Sequence, residues 1–144
     1  MITGDKFIKY AKRIVSSSSI SEEEARSAIS RAYYSLYHQT LAVAIKKYSL
    51  SLIKKVEKHN RKRLRRYERS QLNSMDSRFL RKCNFHKILP DTLFDINPIL
   101  AFSFKNFRDQ RNQADYDLKM TFTHGDADTI VNNIDVVLNQ ITSL

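Results

Sequence analysis

Glycine and proline occur only twice each in the 144 residues, at Gly4, Gly125, Pro90 and Pro98. That scarcity argues against a Gly-rich phosphate loop, a Rossmann turn or a hairpin-rich β fold, and for helices. Cys83 is the single cysteine, which excludes an internal disulfide and a cysteine-based zinc site. No run of about 18 apolar residues is present, so no membrane-spanning helix is expected. The opening MITGDKFIKYAK has no apolar h-region and does not read as a secretory signal. The expectation is a cytoplasmic protein whose residues 1–144 form one domain, long enough to bury a real core.

Acidic residues are scarce in one region only. Between 46 and 87 there are 15 Lys+Arg against Glu57, Glu68 and Asp76, while the rest of the chain carries 10 basic and 12 acidic residues. Nearly all of the net charge of +10 therefore sits in the middle third. Such a concentration attracts polyanions through phosphate contacts and counterion release; it also suits a solvated helix or loop. The densest stretch, RKRLRR, supplies Arg61, Lys62, Arg63, Arg65 and Arg66 as candidate nucleic-acid contacts.

Along the chain, hydrophobic spacing predicts helices and no repeat. Phe7, Ile8, Ala11, Ile14 and Val15 mark a short amphipathic helix over 5–15, ended by the serines at 16–19. Ser21, with Glu24 three residues on, has the form of a capping box and opens a helix over about 22–47. Ala25, Ala28, Ile29, Ala32, Leu36, Val43 and Ala44 give that helix an inward stripe, whose small residues let a neighbour approach closely. Arg31, Tyr34, Tyr37, His38, Leu41 and Ile45 run beside it. The basic segment over 52–83 reads as helical with a weak apolar stripe, and residues 84–98 read as a connection. Asp95 or Asn97 caps the next helix, with Pro98 in its first turn. Gly125 marks a break, after which Asp126 or Asp128 starts a last helix facing inward with Ile130, Val131, Ile134, Val137, Leu138 and Ile141. The expected fold is all-α, a bundle of four or five helices.

The stretch RDQRNQADYD, residues 108–117, is the candidate for chemistry, as a phosphate-holding surface or only a well-solvated helix end. At about 100° per residue, Leu100, Phe107, Ala114 and Leu118 share the core side, while Arg108, Arg111, Asn112, Asp115 and Tyr116 fill an adjoining arc. The polar groups border the buried stripe instead of opposing it. Arg111 and Asp115 are also an i,i+4 pair, which could serve only as an intrahelical ion pair of about 0.2–0.5 kcal/mol.

SAISRAYYSLYH (27–38) followed by RDQRNQADYD resembles the HEPN superfamily, small all-α domains of prokaryotic toxins and antiviral systems. One subgroup has an R-x-x-A-D-Y pattern, matched by Arg111, Asn112, Gln113, Ala114, Asp115 and Tyr116. The resemblance spans about residues 22–142. It implies a HEPN-like bundle and a metal-independent endoribonuclease that needs no cofactor. It also implies a homodimer with the motif helices meeting at a cleft between subunits. Arg111 and Arg108 would hold the scissile phosphate, whose geometry a guanidinium fork fits, while Asn112 and Asp115 would orient groups.

Family members place a histidine after an arginine with four to six residues between them, to move the proton of the ribose 2′-hydroxyl. From Arg111 that window holds Tyr116, Asp117 and Leu118; from Arg108 it holds Gln113, Ala114 and Asp115. The proton role thus passes to Tyr116, whose reference pKa of about 10 suits a base poorly, or to His38. His124 lies beyond the expected helix end, and His59 and His86 have weaker claims. Two further readings go with the resemblance: a non-catalytic module binding nucleic acid or protein, and a partner of a cognate nucleotidyltransferase antitoxin that modifies Tyr116.

Overall fold

Ser21 opens the longest helix through its own side chain. Its Oγ accepts from the Glu24 backbone N–H at 3.2 Å, and the Glu24 carboxylate accepts from the Ser21 N–H at 2.8 Å. Two orphan donors are satisfied reciprocally, and three glutamates favour the positive end of the dipole. The computed structural model describes residues 4–144. In order the helices are α1 (Gly4–Val15), α2 (Glu22–Lys47), α3 (Ser49–Asn60), α4 (Arg66–Asn73), α5 (Ser77–Lys82), α6 (Phe85–Ile96), α7 (Pro98–Tyr116) and α8 (His124–Thr142). No strand occurs among the described residues. None of the described helices is long and apolar enough to cross a membrane.

α2 is the central element, packed against α1, α8, α7, α6 and α3. Ala25, Ala28, Ile29, Ala32, Tyr33 and Leu36 on it are fully buried. The alanines act by being small, so flanking helix backbones come close. Gly4 shows the same demand at the start of α1, where a Cβ would lie 2.9 Å from Gln39 Cγ. Ser35 Oγ ties that approach by donating to the Gly4 carbonyl at 2.6 Å. From α8, Val131, Ile134 and Ile141 complete the core. Each fully buried aliphatic side chain there contributes about 1.5–3 kcal/mol.

Several boundaries differ from those the sequence suggests. The fold is all-α, but the described residues form eight helices where the spacing predicts four or five. The basic segment divides into three, broken where Arg61 and Met75 take left-handed backbone with φ of 52° and 56°. The stretch over 84–98 is not a connection, since residues 85–96 form α6. Phe85, Ile88, Leu89 and Leu93 there are buried at helical spacing. Gly125 is no break either. Thr123 caps α8 in a reciprocal box with Asp126, and Gly125 sits inside the first turn.

α7 begins as expected, with Asn97 Oδ1 accepting from the Ile99 and Leu100 N–H groups and Pro98 following the cap. It ends earlier, at Tyr116. Leu118, expected in the core, is 88% exposed. Arg26 of α2 explains the stop. Its guanidinium donates to the carbonyls of Ala114 at 2.8 Å and Asp117 at 3.1 Å, and to that of Met120. It is held in turn by Glu22, one helical turn back, at 2.8 Å. A cation from a neighbouring helix thereby satisfies carbonyls that a helix end leaves without partners.

Candidate functional site

Arg111 lies where the wheel puts it, at the edge of the core, but is more deeply set than a boundary residue. Only 7% of it is exposed. Its guanidinium carbon stands 5.2 Å from the Tyr33 ring centre and 5.3 Å from that of Tyr34. Such contacts favour a cation by about 0.5–2 kcal/mol. Nη1 donates to Asn112 Oδ1 at 3.1 Å, and Asp115 pairs with the same nitrogen at 3.5 Å. Ser30 Oγ donates to Asp115 at 3.3 Å and steadies the carboxylate. Nε, though buried, has no partner among the described residues. A guanidinium offers five donors in a fixed fork. These contacts hold it in place and leave donor capacity unused.

Arg108 reaches the same place by a different route. Pro90 lies inside α6 and has no N–H, so the carbonyl four residues earlier, on His86, lacks its usual helical donor. Arg108 Nη1 donates to that carbonyl at 3.1 Å, while Asp109 takes up the other edge of the guanidinium at 3.4 Å. A proline on one helix thus creates the anchor for an arginine on the next.

The same residue brings in a side chain with one of the weakest standings in the sequence. His86 Nδ1 is 2.8 Å from Tyr33 Oη, and its ring stacks on Tyr37 with centres 4.3 Å apart. Burial first, then the charges of Arg111 and Arg108, push its pKa down to about 4. The imidazole is therefore neutral near pH 7. Burial also raises the phenols: Tyr37 to about 12, and Tyr33 further, against the opposing pull of Arg111 and Arg108. Tyr33 is thus a neutral phenol, able to donate to Nδ1 or accept from Nδ1–H. In both cases Nε2 is the ring nitrogen not engaged with Tyr33. α7 holds no histidine, and α6 brings His86 beside it.

Arg108, Arg111 and His86 line a cavity of about 410 Å³ with Asn84, Lys87, Asp109, Asn112 and Tyr116. Asn84 is the N-cap residue of α6 but makes no capping bond with its side chain. The uncapped positive end of α6, two arginines and a lysine converge here. Among the described lining residues, Asp109 is the one carboxylate. That combination suits an anion with several acceptor oxygens, such as a phosphate.

The remaining candidates separate. Asn112 and Asp115 stand beside Arg111, as expected. Tyr116 borders the cavity but is 74% exposed, so it is a surface residue. His38 is not in the arginine cluster. It stacks on Phe7 at 5.7 Å, lies against Tyr37, and faces an adjacent cavity that does not include either arginine. His124 is occupied structurally, its Nε2 bonded to the Val15 carbonyl at 2.7 Å. His59 is exposed on α3. Arg61, Lys62, Arg63, Arg65 and Arg66 form the exposed connection from α3 into α4, with Leu64 turned inward among them. Lys62 is 3.8 Å from Glu68, and Glu68 also closes the first turn of α4 by accepting from the Arg65 N–H at 2.7 Å. These five lie outside both cavities.

His86 and Tyr33 are the residues that sequence reasoning missed. A signal for His86 is present in the spacing of Phe85, Ile88, Leu89 and Leu93, which marks a helix over residues that otherwise suggest a connection. Tyr33 belongs to neither of the two stripes that the spacing marks on α2, and sits one place from Tyr34. In comparison with known proteins, no family model, no curated protein and no solved structure matches this chain.

Proposed function

We propose that the chain is a HEPN-type RNA-directed protein and that the α6–α7 cavity is an endoribonuclease site. The observation that carries this reading is the meeting of Arg108, Arg111 and His86 at one cavity. The resemblance asks for a phosphate-binding arginine and a proton-transferring histidine, and these are their chemical equivalents drawn from two helices. Arg111 and Arg108 hold the scissile phosphate. Asn112 and Asp115 fix the Arg111 fork. His86 takes the proton from the 2′-hydroxyl at Nε2 as the 2′-oxygen bonds to phosphorus and the bond to the 5′-oxygen breaks. The 5′-oxygen leaves with a proton from solvent, and the products are a 2′,3′-cyclic phosphate and a 5′-hydroxyl.

This role sets a condition on the tautomer. Nε2 accepts a proton only if Nδ1 carries one and donates it to Tyr33 Oη. Tyr33 is then a positioning residue, holding the imidazole with its free lone pair toward the phosphate. A toxin or antiviral defence role follows from the resemblance, as does a homodimer, in which α7 of each copy faces the other. Incubating RNA with the protein in chelator tests the reading. Wild type is expected to cut, and Arg111→Ala to lose about 10²–10³ of the rate, as for removal of one charge-stabilising donor. Full activity in a folded Arg111→Ala protein would remove the assignment.

Tyr116 favours a second reading. Its exposed phenol beside the arginines is open to a modifying enzyme, such as the cognate nucleotidyltransferase antitoxin of the resemblance. A mass increase on Tyr116 after co-expression with such a partner, with loss of RNA cleavage, would establish regulation at this residue. A non-catalytic module is the alternative if purified protein binds RNA and leaves it intact.

A further inference from the structure

A second cavity, of about 490 Å³, lies next to the first and shares Asn84 and His86 with it as a common wall. Its lining has a different chemistry. Tyr34, Tyr37 and His38 present aromatic surface from α2, Leu41 and Leu80 add apolar surface, and none of its described lining residues is a carboxylate. Arg81 and Lys82 stand at its rim from α5. Its size falls within the range of about 300–1,000 Å³ typical of small-ligand sites. The first cavity therefore suits an anion, and the second a flat ring with polar edges.

We infer that this aromatic cavity receives one unpaired nucleobase, adjoining the phosphate held by Arg108 and Arg111, so that the substrate is single-stranded RNA. The inference rests on the ribonuclease reading for the identity of the phosphate, and adds to it the substrate's form. Three features point to a base. The two cavities share Asn84 and His86 in their walls, so a base in one would adjoin a phosphate in the other. Aromatic rings accept any base by stacking, whereas Asn84, whose amide is free of a capping bond, has both a donor and an acceptor for a base edge. The basic rim, with no carboxylate among the described lining residues, disfavours a cationic ligand. A base held in a duplex is stacked and paired and cannot enter, so duplex RNA is excluded by shape.

Mononucleotide binding by calorimetry tests this, with uridine, cytidine, adenosine and guanosine 3′-monophosphates as probes against inorganic phosphate. At least one nucleotide is expected to bind about tenfold more tightly than phosphate, consistent with one base stacked on aromatic side chains. His38→Leu and Asn84→Ala, each checked for folding by thermal melting, should reduce that advantage severalfold. Arg111→Ala should weaken phosphate and nucleotide alike. Nucleotides that bind no better than phosphate overturn the inference, as does an advantage unchanged in both cavity variants. The ribonuclease reading fails separately: nucleotide discrimination without RNA cleavage keeps the base pocket and removes the catalysis. Cleavage of duplex RNA as fast as single strands keeps the catalysis and removes the pocket.

Discussion

Burial, and then the positive charges of Arg111 and Arg108, hold the His86 imidazole at a pKa of about 4, against an ordinary value of 6.5. In the unfolded chain this group protonates near pH 6.5, while in the fold it resists until about pH 4. The unfolded state binds more protons between those values, so stability falls as pH is lowered through that window. His38, lowered by burial, acts in the same direction. Replacing His86 with Gln is expected to flatten the dependence of Tm on pH between 6.5 and 4, and an unchanged slope would show that the imidazole is not so held. A bound phosphate offsets the two arginine charges and raises the His86 pKa. Phosphate binding near pH 5 should therefore take up protons, seen as a dependence of the calorimetric heat on the buffer's ionisation enthalpy. Wild type and His86→Gln should differ in this respect. For RNA cleavage, removing the imidazole should cost about 10²–10⁴-fold. Cys83 nearby calls for no role in this chemistry, since burial raises its thiol pKa and keeps it protonated.

At the scale of elements, the site depends on where α7 stops and on how α6 is interrupted. Arg26→Ala removes the donor to four carbonyls at and beyond the end of α7 and is expected to destabilise the protein by about 2–3 kcal/mol. Urea unfolding reads this directly; a change under about 0.5 kcal/mol, the scale of an ordinary surface substitution, would show the cap to be idle. Pro90→Ala restores an N–H that competes with Arg108 for the His86 carbonyl. Helix propensity favours alanine, so this variant should be at least as stable as wild type, yet bind phosphate less well. A drop in stability together with binding would mean that Pro90 matters to packing alone. The long helices are legible in the sequence because their signals are local. Ser21 and Glu24 fix the start of α2, Asn97 and Pro98 that of α7, and the alanine stripe identifies α2 as central. α6 is obscured by Pro90 and by the polar residues Asp91, Asp95 and Asn97, although its apolar spacing is regular. With α6 unseen, His86 has no place in three dimensions. The end of α7 is hidden for another reason: Arg26, which sets it, is about 90 positions away in the chain, and no local pattern encodes that contact. Arg111 and its neighbours are legible because a wheel shows which side of a helix meets the core. Their partner comes from a different helix, and a wheel cannot show that.

For the molecule as a whole, charge and site are arranged separately. The basic connection at 61–66 is exposed and outside both cavities, whereas Arg108 and Arg111 are set beside the core. The first suits non-specific attraction of a polyanion, and the second a fixed phosphate. Neutralising Arg61, Lys62, Arg63, Arg65 and Arg66 is expected to lower the salt dependence of RNA binding, by about 0.7 in the log–log slope for each phosphate no longer neutralised. Cleavage of RNA already bound should persist. The claim that joins these scales is that Arg111 and His86 act together on one phosphate. Its most direct measurement is a time course with a defined single-stranded RNA in chelator, with the product ends mapped for wild type, Arg111→Ala and His86→Gln. Wild type is expected to give 2′,3′-cyclic phosphate ends, and each folded variant a large drop in rate. Wild type that leaves the RNA intact, or variants that produce the same ends at the wild-type rate, would contradict it.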